Sequence, residues 1–274
     1  MSILLHGDCL NEMKGLEDDS VDLIFCDLPY GQTSCKWDCP IDLDLFWIEI
    51  MRIKKLNTPI FFTTTTKFGV SLINAAPKKC QFRYDIVWVK SAAAGFLSAK
   101  KMPMRKHEMI YVFYEKLPFY DLSSHKHKFL KEEEKKIIKG ENNTYNTEGR
   151  KKPIVREKAG KYETPLPVSV VKEDKHTLYG EIKELGVPHT STYDPPLPNS
   201  MLEIKSTRGK HSTEKPIALI EWLLKYYSKE GDVVFDPTMG SGSTGVACKN
   251  MNRNFIGIEK DPEIYEIAVN RIEN

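Results

Sequence analysis

Residues 232–250, DVVFDPTMGSGSTGVACKN, contain the pattern that decides the fold. The apolar residues that open this stretch predict a buried strand, and the residues that follow Gly242 predict a helix. Gly240, Gly242 and Gly245 follow the strand and open the helix, where glycine lets the backbone turn tightly and approach a ligand closely. A strand, a glycine-rich turn and a helix in this order are typical of sites that bind a nucleoside cofactor.

Two acidic residues beside this loop indicate which cofactor it suits. Glu259 ends the next predicted strand, where a carboxylate can bond both hydroxyls of a ribose. Asp236 directly precedes the loop and is followed by Pro237, and its charge would repel a pyrophosphate but suits a cationic ligand. No Gly-Lys-Ser/Thr sequence is present, which argues against a P-loop. The pattern therefore favours S-adenosylmethionine over a dinucleotide.

The fold class follows from how apolar runs alternate with amphipathic segments. Strands are predicted at 2–6, 21–26, 59–65, 82–90, 107–115, 232–236 and 254–259. Helices are predicted at 9–16, 42–56, 213–228, 243–251 and 262–272. Alternating strands and helices predict an α/β fold, namely a mostly parallel seven-stranded sheet with helices on both faces.

Composition and charge exclude few classes of protein. The 274 residues are 41% hydrophobic and 28% charged with a net charge of +2, as in ordinary globular proteins. No apolar run approaches the roughly 18 residues of a membrane span, and no secretory leader is evident, so we expect a cytoplasmic protein without a membrane partner. The six cysteines are scattered and predict reduced thiols. Cys35 and Cys39 lack a second pair at zinc-finger spacing, so we expect no metal site.

Regular patterning fails between residues 116 and 210. This segment is rich in Pro, Asn, Ser and Thr, and its stretch from Lys126 to Lys183 is dense in Lys and Arg with interleaved Glu. The pattern indicates either a linker or an inserted recognition module, and scattered aromatic residues favour the module. The basic residues fit a solvated surface as well as a nucleic-acid interface.

A second motif, Asp27-Leu28-Pro29-Tyr30, follows the predicted strand 21–26. Alone, an acid, a proline and an aromatic residue after a strand are typical of an ordinary loop. Together with the DPTMGSGSTG loop late in the chain, however, the tetrapeptide resembles the catalytic motif of the permuted β group of DNA amino-methyltransferases. These enzymes act on N6 of adenine or N4 of cytosine.

The resemblance covers residues 1–115 and 211–274 and implies the domain organisation. It implies a circularly permuted Rossmann-like class I methyltransferase fold. Residues 1–115 would form the catalytic half, 116–210 a loop-rich inserted target-recognition region, and 211–274 the cofactor-binding half of the same domain.

The resemblance also implies the chemistry of the tetrapeptide. Asp27 and a backbone carbonyl at Leu28, where the family usually has proline, would accept the two hydrogens of the target amino group. Pro29 would stiffen the turn, and Tyr30 would stack on a base that is flipped out of the duplex. Enzymes of the N4-cytosine type more often have Ser in place of Asp27, so this carboxylate favours adenine.

Several further residues are implied to bind S-adenosylmethionine. Asp8 would read the cofactor adenine and Cys9 would supply backbone contacts, although Asp8 also suits a helix cap. The segment KHSTEKP at 210–216 resembles the family's segment beside the methionine end, with Ser212 and Glu214 departing from the pattern. The implied cofactor-binding residues are Asp8, Cys9, Asp27, His211, Thr213, Lys215, Asp236, Pro237, Gly240, Ser241, Gly242 and Glu259.

The implied partner is double-stranded DNA. The β group is often dimeric, so a homodimer is one further candidate partner, and a cognate restriction endonuclease is another. Neither a homodimer nor a cognate endonuclease follows from the residues themselves. The expected phosphate contacts are Lys100, Lys101, Arg105, Arg150, Lys151, Lys152 and Arg156. Three functions stay open: an N6-adenine methyltransferase, an enzyme acting on cytosine N4 or on RNA, and a catalytically silent DNA-binding protein. The intact motifs favour the first.

Overall fold

A computed structural model describes residues 1–31, 39–127, 193–206 and 214–274. The chain divides into two compact units, Met1–Leu122 with Asn199–Asn274, and Ser123–Pro198. Its strands are β1 (Ser2–His6), β2 (Leu23–Cys26), β3 (Ile60–Thr64), β4 (Gln81–Ala94), β5 (Arg105–Tyr114), β6 (Lys126–His127), β7 (Tyr193–Asp194), β8 (Met201–Glu203), β9 (Val233–Asp236) and β10 (Asn254–Glu259). Its α-helices are α1 (Cys9–Glu12), α2 (Leu43–Ile53), α3 (Thr66–Ala75), α4 (Ile217–Tyr227), α5 (Ser243–Asn250) and α6 (Pro262–Glu273).

The larger unit is built on one sheet with the order β1-β10-β9-β2-β3-β5-β4-β8. Within it β5 runs antiparallel to both of its neighbours, and all other pairs are parallel. The mostly parallel α/β fold expected from the sequence is confirmed. The expected number of seven strands is wrong, because the described residues form an eight-stranded sheet in which Met201–Glu203 pairs with Val87–Val89. A strand of three residues is too short for its periodicity to stand out in a loop-rich segment.

Helices cover both faces of this sheet, as the sequence predicts. Because strand side chains alternate between faces, Leu23 and Phe25 of β2 belong to the core under α4, α5 and α6, whereas Ile24 and Cys26 belong to the core under α2 and α3. All four side chains of β2 are buried, and so are all five of β3. Burial on both faces explains why these strands are continuous apolar runs in the sequence.

Polar side chains set several helix ends. Asp42 accepts from the backbone N–H groups of Asp44 and Leu45 at the start of α2. Asp261 caps α6 in the same way, with Pro262 as its first residue. Such caps satisfy N–H groups that have no partner inside the helix. None of the helices in the described ranges is long and apolar enough to cross a bilayer.

The two ends of the chain meet in adjacent strands. β1 pairs in parallel with β10, and the N-terminal amino group of Met1 donates to Asn254 Oδ1 at 3.0 Å. β9 lies next to β2 in the sheet, and the two strands are parallel. The loop after β9 that contains Gly240 and Gly242, here called the glycine loop, therefore begins at the same edge as the tetrapeptide Asp27–Tyr30 after β2. Open parallel sheets bind ligands at this carboxyl edge.

The smaller unit is described only at its two ends. Lys126–His127 and Tyr193–Asp194 form a two-stranded antiparallel sheet. His125 is buried beside it, with Nδ1 at 2.9 Å from the carbonyl oxygen of Pro195.

Candidate active site

A cavity of about 190 Å³ opens at the carboxyl edge of the sheet. Its lining comes from the ends of four neighbouring strands, from the start of α1 and from the residues directly before α2. The lining residues are Asp8, Cys9, Leu10, Pro29, Cys39, Pro40, Ile41, Asp42, Pro237, Thr238, Glu259 and Lys260. Residues expected from the cofactor pattern and one from the tetrapeptide thus face the same space.

The glycine loop is held by the acid that follows it. Glu259 Oε2 accepts from the backbone N–H of Gly240 at 3.0 Å, and Oε1 accepts from the N–H of Asp261 at 2.8 Å. Gly240 and Gly242 have φ angles of 52° and 84°, which side-chain-bearing residues rarely adopt. A Cβ on Gly245 would lie 2.4 Å from Ile272 Cδ1, so this glycine is needed for the packing of α5 on α6.

Asp236 lies behind the loop and is almost fully buried. Its Oδ2 accepts from Thr244 Oγ1 at 2.6 Å, and its Oδ1 accepts from the N–H of Thr238 at 3.1 Å. Burial raises the pKa of this carboxyl to about 7, although both hydrogen bonds favour the charged form. A cation bound nearby would therefore find a carboxyl group that ionises easily near neutral pH.

Asp8 lies at the cavity and also caps α1. Its Oδ1 accepts from the N–H of Leu10 at 3.1 Å, and its Oδ2 pairs with Lys260 Nζ at the same distance. The neighbouring Cys9 is buried, and burial raises the pKa of its thiol to about 12. A thiol that stays protonated is a poor nucleophile, so burial disfavours a covalent role for Cys9.

The Asp27 carboxylate is bonded on both oxygens. Oδ1 accepts hydrogen bonds from the hydroxyls of Thr63 and Tyr30, the second at 3.1 Å. Oδ2 accepts from Lys215 Nζ at 2.5 Å. The main-chain oxygen of Asp27 accepts from Thr238 Oγ1 at 3.1 Å, which ties the tetrapeptide to the glycine loop. These contacts fix the carboxylate at the end of β2.

The side chains of Leu28 and Tyr30 pack against other residues of the protein. The Leu28 side chain is buried in the core cluster under α2 and α3. The Tyr30 hydroxyl also lies 3.0 Å from the Thr63 carbonyl, and its ring is 5.2 Å from that of Phe68 at a tilt of 37°. Burial, and next the charge of Asp27, raise the pKa of Tyr30 well above its usual value. The phenol therefore acts as a neutral hydrogen-bond donor.

Behind Asp27 the charges alternate in sign. Lys215 lies between Asp27 and Glu108, with Nζ 3.9 Å from Glu108 Oε2, and Glu108 Oε1 forms a close ion pair with Lys90. Burial lowers the pKa of Lys215, but Asp27 and then Glu108 outweigh burial, so the pKa lies above its usual value. Lys215 therefore stays charged, and it neutralises one of two acids that would otherwise repel each other.

A second ion pair connects the segment before α4 to the glycine loop. Arg271 forms a close contact with Glu214, and its Nη1 donates to the Ser241 carbonyl at 3.2 Å and to Ser241 Oγ at 3.1 Å. Ser243 Oγ donates to the same Glu214 oxygen at 3.2 Å. Glu214, which departs from the family's glutamine, thus gives the α6 arginine a charged partner beside the loop.

The remaining expected residues divide into exposed and undescribed ones. Lys100, Lys101 and Arg105 are exposed in the hairpin between β4 and β5. The other expected residues fall outside the described ranges, and they are His211, Thr213, Arg150, Lys151, Lys152 and Arg156. Among the residues that the structure describes, no group of His, Cys, Asp and Glu side chains is arranged to hold a metal ion.

The structure adds residues that sequence reasoning missed. Thr63, Thr238 and Glu108 contact Asp27 or its partner Lys215, and Lys260 lines the cavity. The run of four threonines at 63–66, which extends from the end of β3 into the start of α3, was a usable signal, because polar residues at a carboxyl strand end often face a ligand. Nothing in the local sequence around Glu108 distinguishes it, since its role depends on pairing between distant strands.

Comparisons with known proteins show the family and the fold of this chain. The family model of N6/N4 DNA methylases matches residues 21–270. The chain is 25% identical to the type II methyltransferase M.HinfI of Haemophilus influenzae over 99% of its own length and 68% of that protein. It is 44% identical to M2.DpnII of Streptococcus pneumoniae, but only over 26% of each chain. The alignment with M.HindIII likewise spans about a quarter of that relative's length.

Solved structures of other proteins share this fold. The complex of M1.HpyAVI with S-adenosylmethionine matches with a TM-score of 0.59 at 20% identity and covers 100% of both chains. The cytosine-N4-specific PvuII DNA methyltransferase matches with a TM-score of 0.59 at 12% identity, over 98% of this chain and 86% of that one. With a family model that spans nearly all of its length, the chain belongs to the N6/N4 DNA methylase family, whose methyl donor is S-adenosylmethionine.

Proposed function

We propose that this protein is a site-specific DNA adenine N6-methyltransferase that acts on an adenine flipped out of the duplex. The observation that carries the proposal is the Asp27 carboxylate, which Thr63, Tyr30 and Lys215 hold at the sheet edge. Pro29, two residues further along, lines the adjoining cavity. A fixed acceptor beside a cavity lined by the expected cofactor-binding residues is what transfer to an exocyclic amine requires.

The residues around the cavity fit S-adenosylmethionine. Each Glu259 oxygen accepts one backbone N–H and keeps a lone pair for a ribose hydroxyl. Asp8 suits the amino group of the cofactor adenine, and the buried Asp236 would favour the cationic end. When bound, the cofactor supplies an electrophilic methyl group on a sulfonium. We also assign cofactor contacts to residues that lie in the glycine loop or beside Asp8 at the end of β1. They are Cys9, Pro237, Gly240, Ser241 and Gly242.

The protein's own part of the mechanism is positioning and electrostatic stabilisation. The lone pair of the adenine N6 is delocalised into the ring, so the amine is a poor nucleophile. Asp27 and the Leu28 carbonyl accept its two hydrogens and orient the lone pair, while Tyr30 offers a ring face for stacking. As positive charge develops on the nitrogen, the carboxylate stabilises it. Lys215 and Thr63 hold that carboxylate in one orientation throughout.

We assign adenine and not cytosine as the target base because the first residue of the tetrapeptide, Asp27, is an acid. Cytosine N4 is the alternative target, and a fold relative, the PvuII enzyme, is cytosine-specific by its description. An RNA substrate and a silent DNA-binding role are further alternatives. A homodimer and a cognate endonuclease remain predictions, and the relatives described as type II methyltransferases are a reason to test for the endonuclease.

The target is identified by the product of methyl transfer. Purified protein is incubated with tritiated S-adenosylmethionine and plasmid DNA from a methylation-deficient host, and the DNA is digested to nucleosides. We expect label in N6-methyl-2′-deoxyadenosine, at a site that sequencing of modified bases then locates. Label in N4-methyl-2′-deoxycytidine would overturn the adenine assignment. DNA binding without any label would favour the silent protein, and label in a parallel RNA incubation alone would overturn the DNA substrate.

A further inference from the structure

The hairpin between β4 and β5 extends far beyond the rest of the sheet. Thr64 ends β3 and pairs with Met109, which in turn pairs with Val87 of β4. β4 continues with a bulge to Ala94, which pairs with Arg105 at the start of β5. Arg105 lies four residues from Met109, so the paired part of the hairpin adds roughly 13 Å at about 3.3 Å per residue. Because β4 runs in the same direction as β2 and β3, this extension leaves the sheet at the edge where Asp27 lies.

The tip of this hairpin is apolar and exposed. After Gly95, with a φ of 93°, a single turn of 3₁₀ helix presents Phe96 and Leu97, which are 81% and 99% exposed. Met102, on the returning side, is 60% exposed. A large aromatic and a large aliphatic side chain at the end of a long arm expose apolar surface that folding alone does not require.

The flanks of the tip carry charge of one sign. Lys100, Lys101, Arg105 and Lys106 are all exposed, and no acidic residue occurs from residue 91 to residue 107. This charge is complementary to a polyanion. It disfavours a second copy of the chain as the occupant, because a two-fold contact would bring the same cations of both copies together. The observations therefore favour duplex DNA.

We infer that Phe96 and Leu97 form a wedge that enters the duplex beside the flipped base, while the basic flanks contact phosphates. This inference rests on the proposed function. Extruding a base costs a few kcal/mol of lost stacking and pairing. Apolar side chains that insert at a base step offset part of that cost in other DNA-binding proteins. The arm lies at the carboxyl edge that carries Asp27, so both act on the same duplex.

The wedge is tested with the double variant Phe96→Ala/Leu97→Ala. The substrates are two oligonucleotide duplexes that contain the target sequence in unmethylated form. In one duplex the target base is paired, and in the other it faces an abasic position, so that little pairing remains to be lost. We expect the variant to lose about tenfold or more in kcat/KM on the paired duplex and to recover most of it on the abasic one. Fluorescence of 2-aminopurine at the target position should show reduced flipping in the paired duplex only.

The matched control is Leu56→Ala/Leu117→Ala, which removes two exposed leucines at the opposite edge of the sheet. It should leave both rates unchanged. Equal losses on both duplexes, or no loss on either, would overturn the wedge while wild-type activity still supports the proposed function. Conversion of a dimer to a monomer by the tip variant, seen by light scattering, would reassign the tip to self-association. If wild type methylates neither duplex, the proposed function itself fails, and the wedge fails with it.

Discussion

The ammonium group of Lys215 lies 2.5 Å from Asp27 Oδ2, although 188 residues separate them in the chain. The residue that orients the early tetrapeptide thus comes from the segment that precedes α4, in the late half of the chain. Asp27 is also bonded by Thr63 of β3, and its carbonyl by Thr238 of the glycine loop. Three separate segments therefore fix Asp27, and the two that contact its carboxylate, at Lys215 and Thr63, each offer a test of how that carboxylate works.

Replacement of Lys215 by Met should remove the cation between two acids. The expected result is a loss of about 10- to 100-fold in kcat, because a hydrogen bond to a charged group is worth about 1.5–3 kcal/mol. Single-turnover methyl transfer measures the loss, and calorimetric titration with S-adenosylmethionine shows whether the cofactor still binds. Lys225→Met, an exposed lysine of α4, is the control. A raised dissociation constant with an unchanged rate would instead place Lys215 on the cofactor.

Replacement of Thr63 by Val should slow methyl transfer without a large change in stability. The shape of the side chain is kept, but Asp27 Oδ1 loses its closest donor, so we expect kcat to fall about tenfold or more. The matched control is Thr64→Val, where the lost hydroxyl donates to the Thr65 carbonyl instead. Equal rates for both variants would show that the Thr63 hydroxyl has no part in orienting Asp27.

Asp236 should make the stability of the cofactor-free protein depend on pH. Burial raises its pKa from 3.8 to about 7, so the folded protein binds this proton more tightly than the unfolded chain. The stabilising contribution is complete below 3.8 and is lost as the pH rises through about 7.

The measurement compares the Tm of wild type and Asp236→Asn across this range. The wild-type Tm should fall relative to the variant between about pH 4 and pH 7 and then run parallel to it. Curves that stay parallel throughout would show that the pKa of Asp236 is the same in the folded and unfolded protein, so that burial does not raise it.

Leu28 should matter for stability more than for the rate. Its side chain is 2% exposed in the core, whereas the backbone carbonyl assigned to catalysis is kept in any substitution. Leu28→Ala should lower the free energy of unfolding by about 2–5 kcal/mol. The exposed Leu56→Ala should change it by less than about 0.5 kcal/mol. Urea unfolding measures both, and a large loss of kcat without a loss of stability would contradict the account.

The strands and helices around the cavity could be predicted because their signals are local. β2 and β9 are apolar runs followed by an acid, and the glycine turn marks the start of α5. The partners of Asp27 could not be predicted in the same way. Thr63 and Glu108 reach the site only because β2, β3 and β5 are neighbours in the sheet. The order of strands in a sheet cannot be predicted from the local sequence of any one strand. β8 was missed for the same reason, since pairing with β4 alone identifies it.

The Leu28 side chain shows that a motif does not predict how its own residues pack. The resemblance implies a role for its carbonyl, where proline is usual, and says nothing of a side chain. The structure shows that this side chain is part of the core. The departure from the family pattern thus joins the tetrapeptide to the hydrophobic interior, a contribution that depends on packing and not on the motif.

The central claim is that Asp27 orients the amine that receives the methyl group. Its most direct test is the rate of tritium transfer from S-adenosylmethionine to DNA by Asp27→Ala, with cofactor affinity measured on the same sample. The exposed Asp44→Ala serves as the control. We predict that Asp27→Ala abolishes transfer while cofactor affinity stays close to that of wild type. Substantial transfer by a folded, cofactor-binding Asp27→Ala protein would contradict the account.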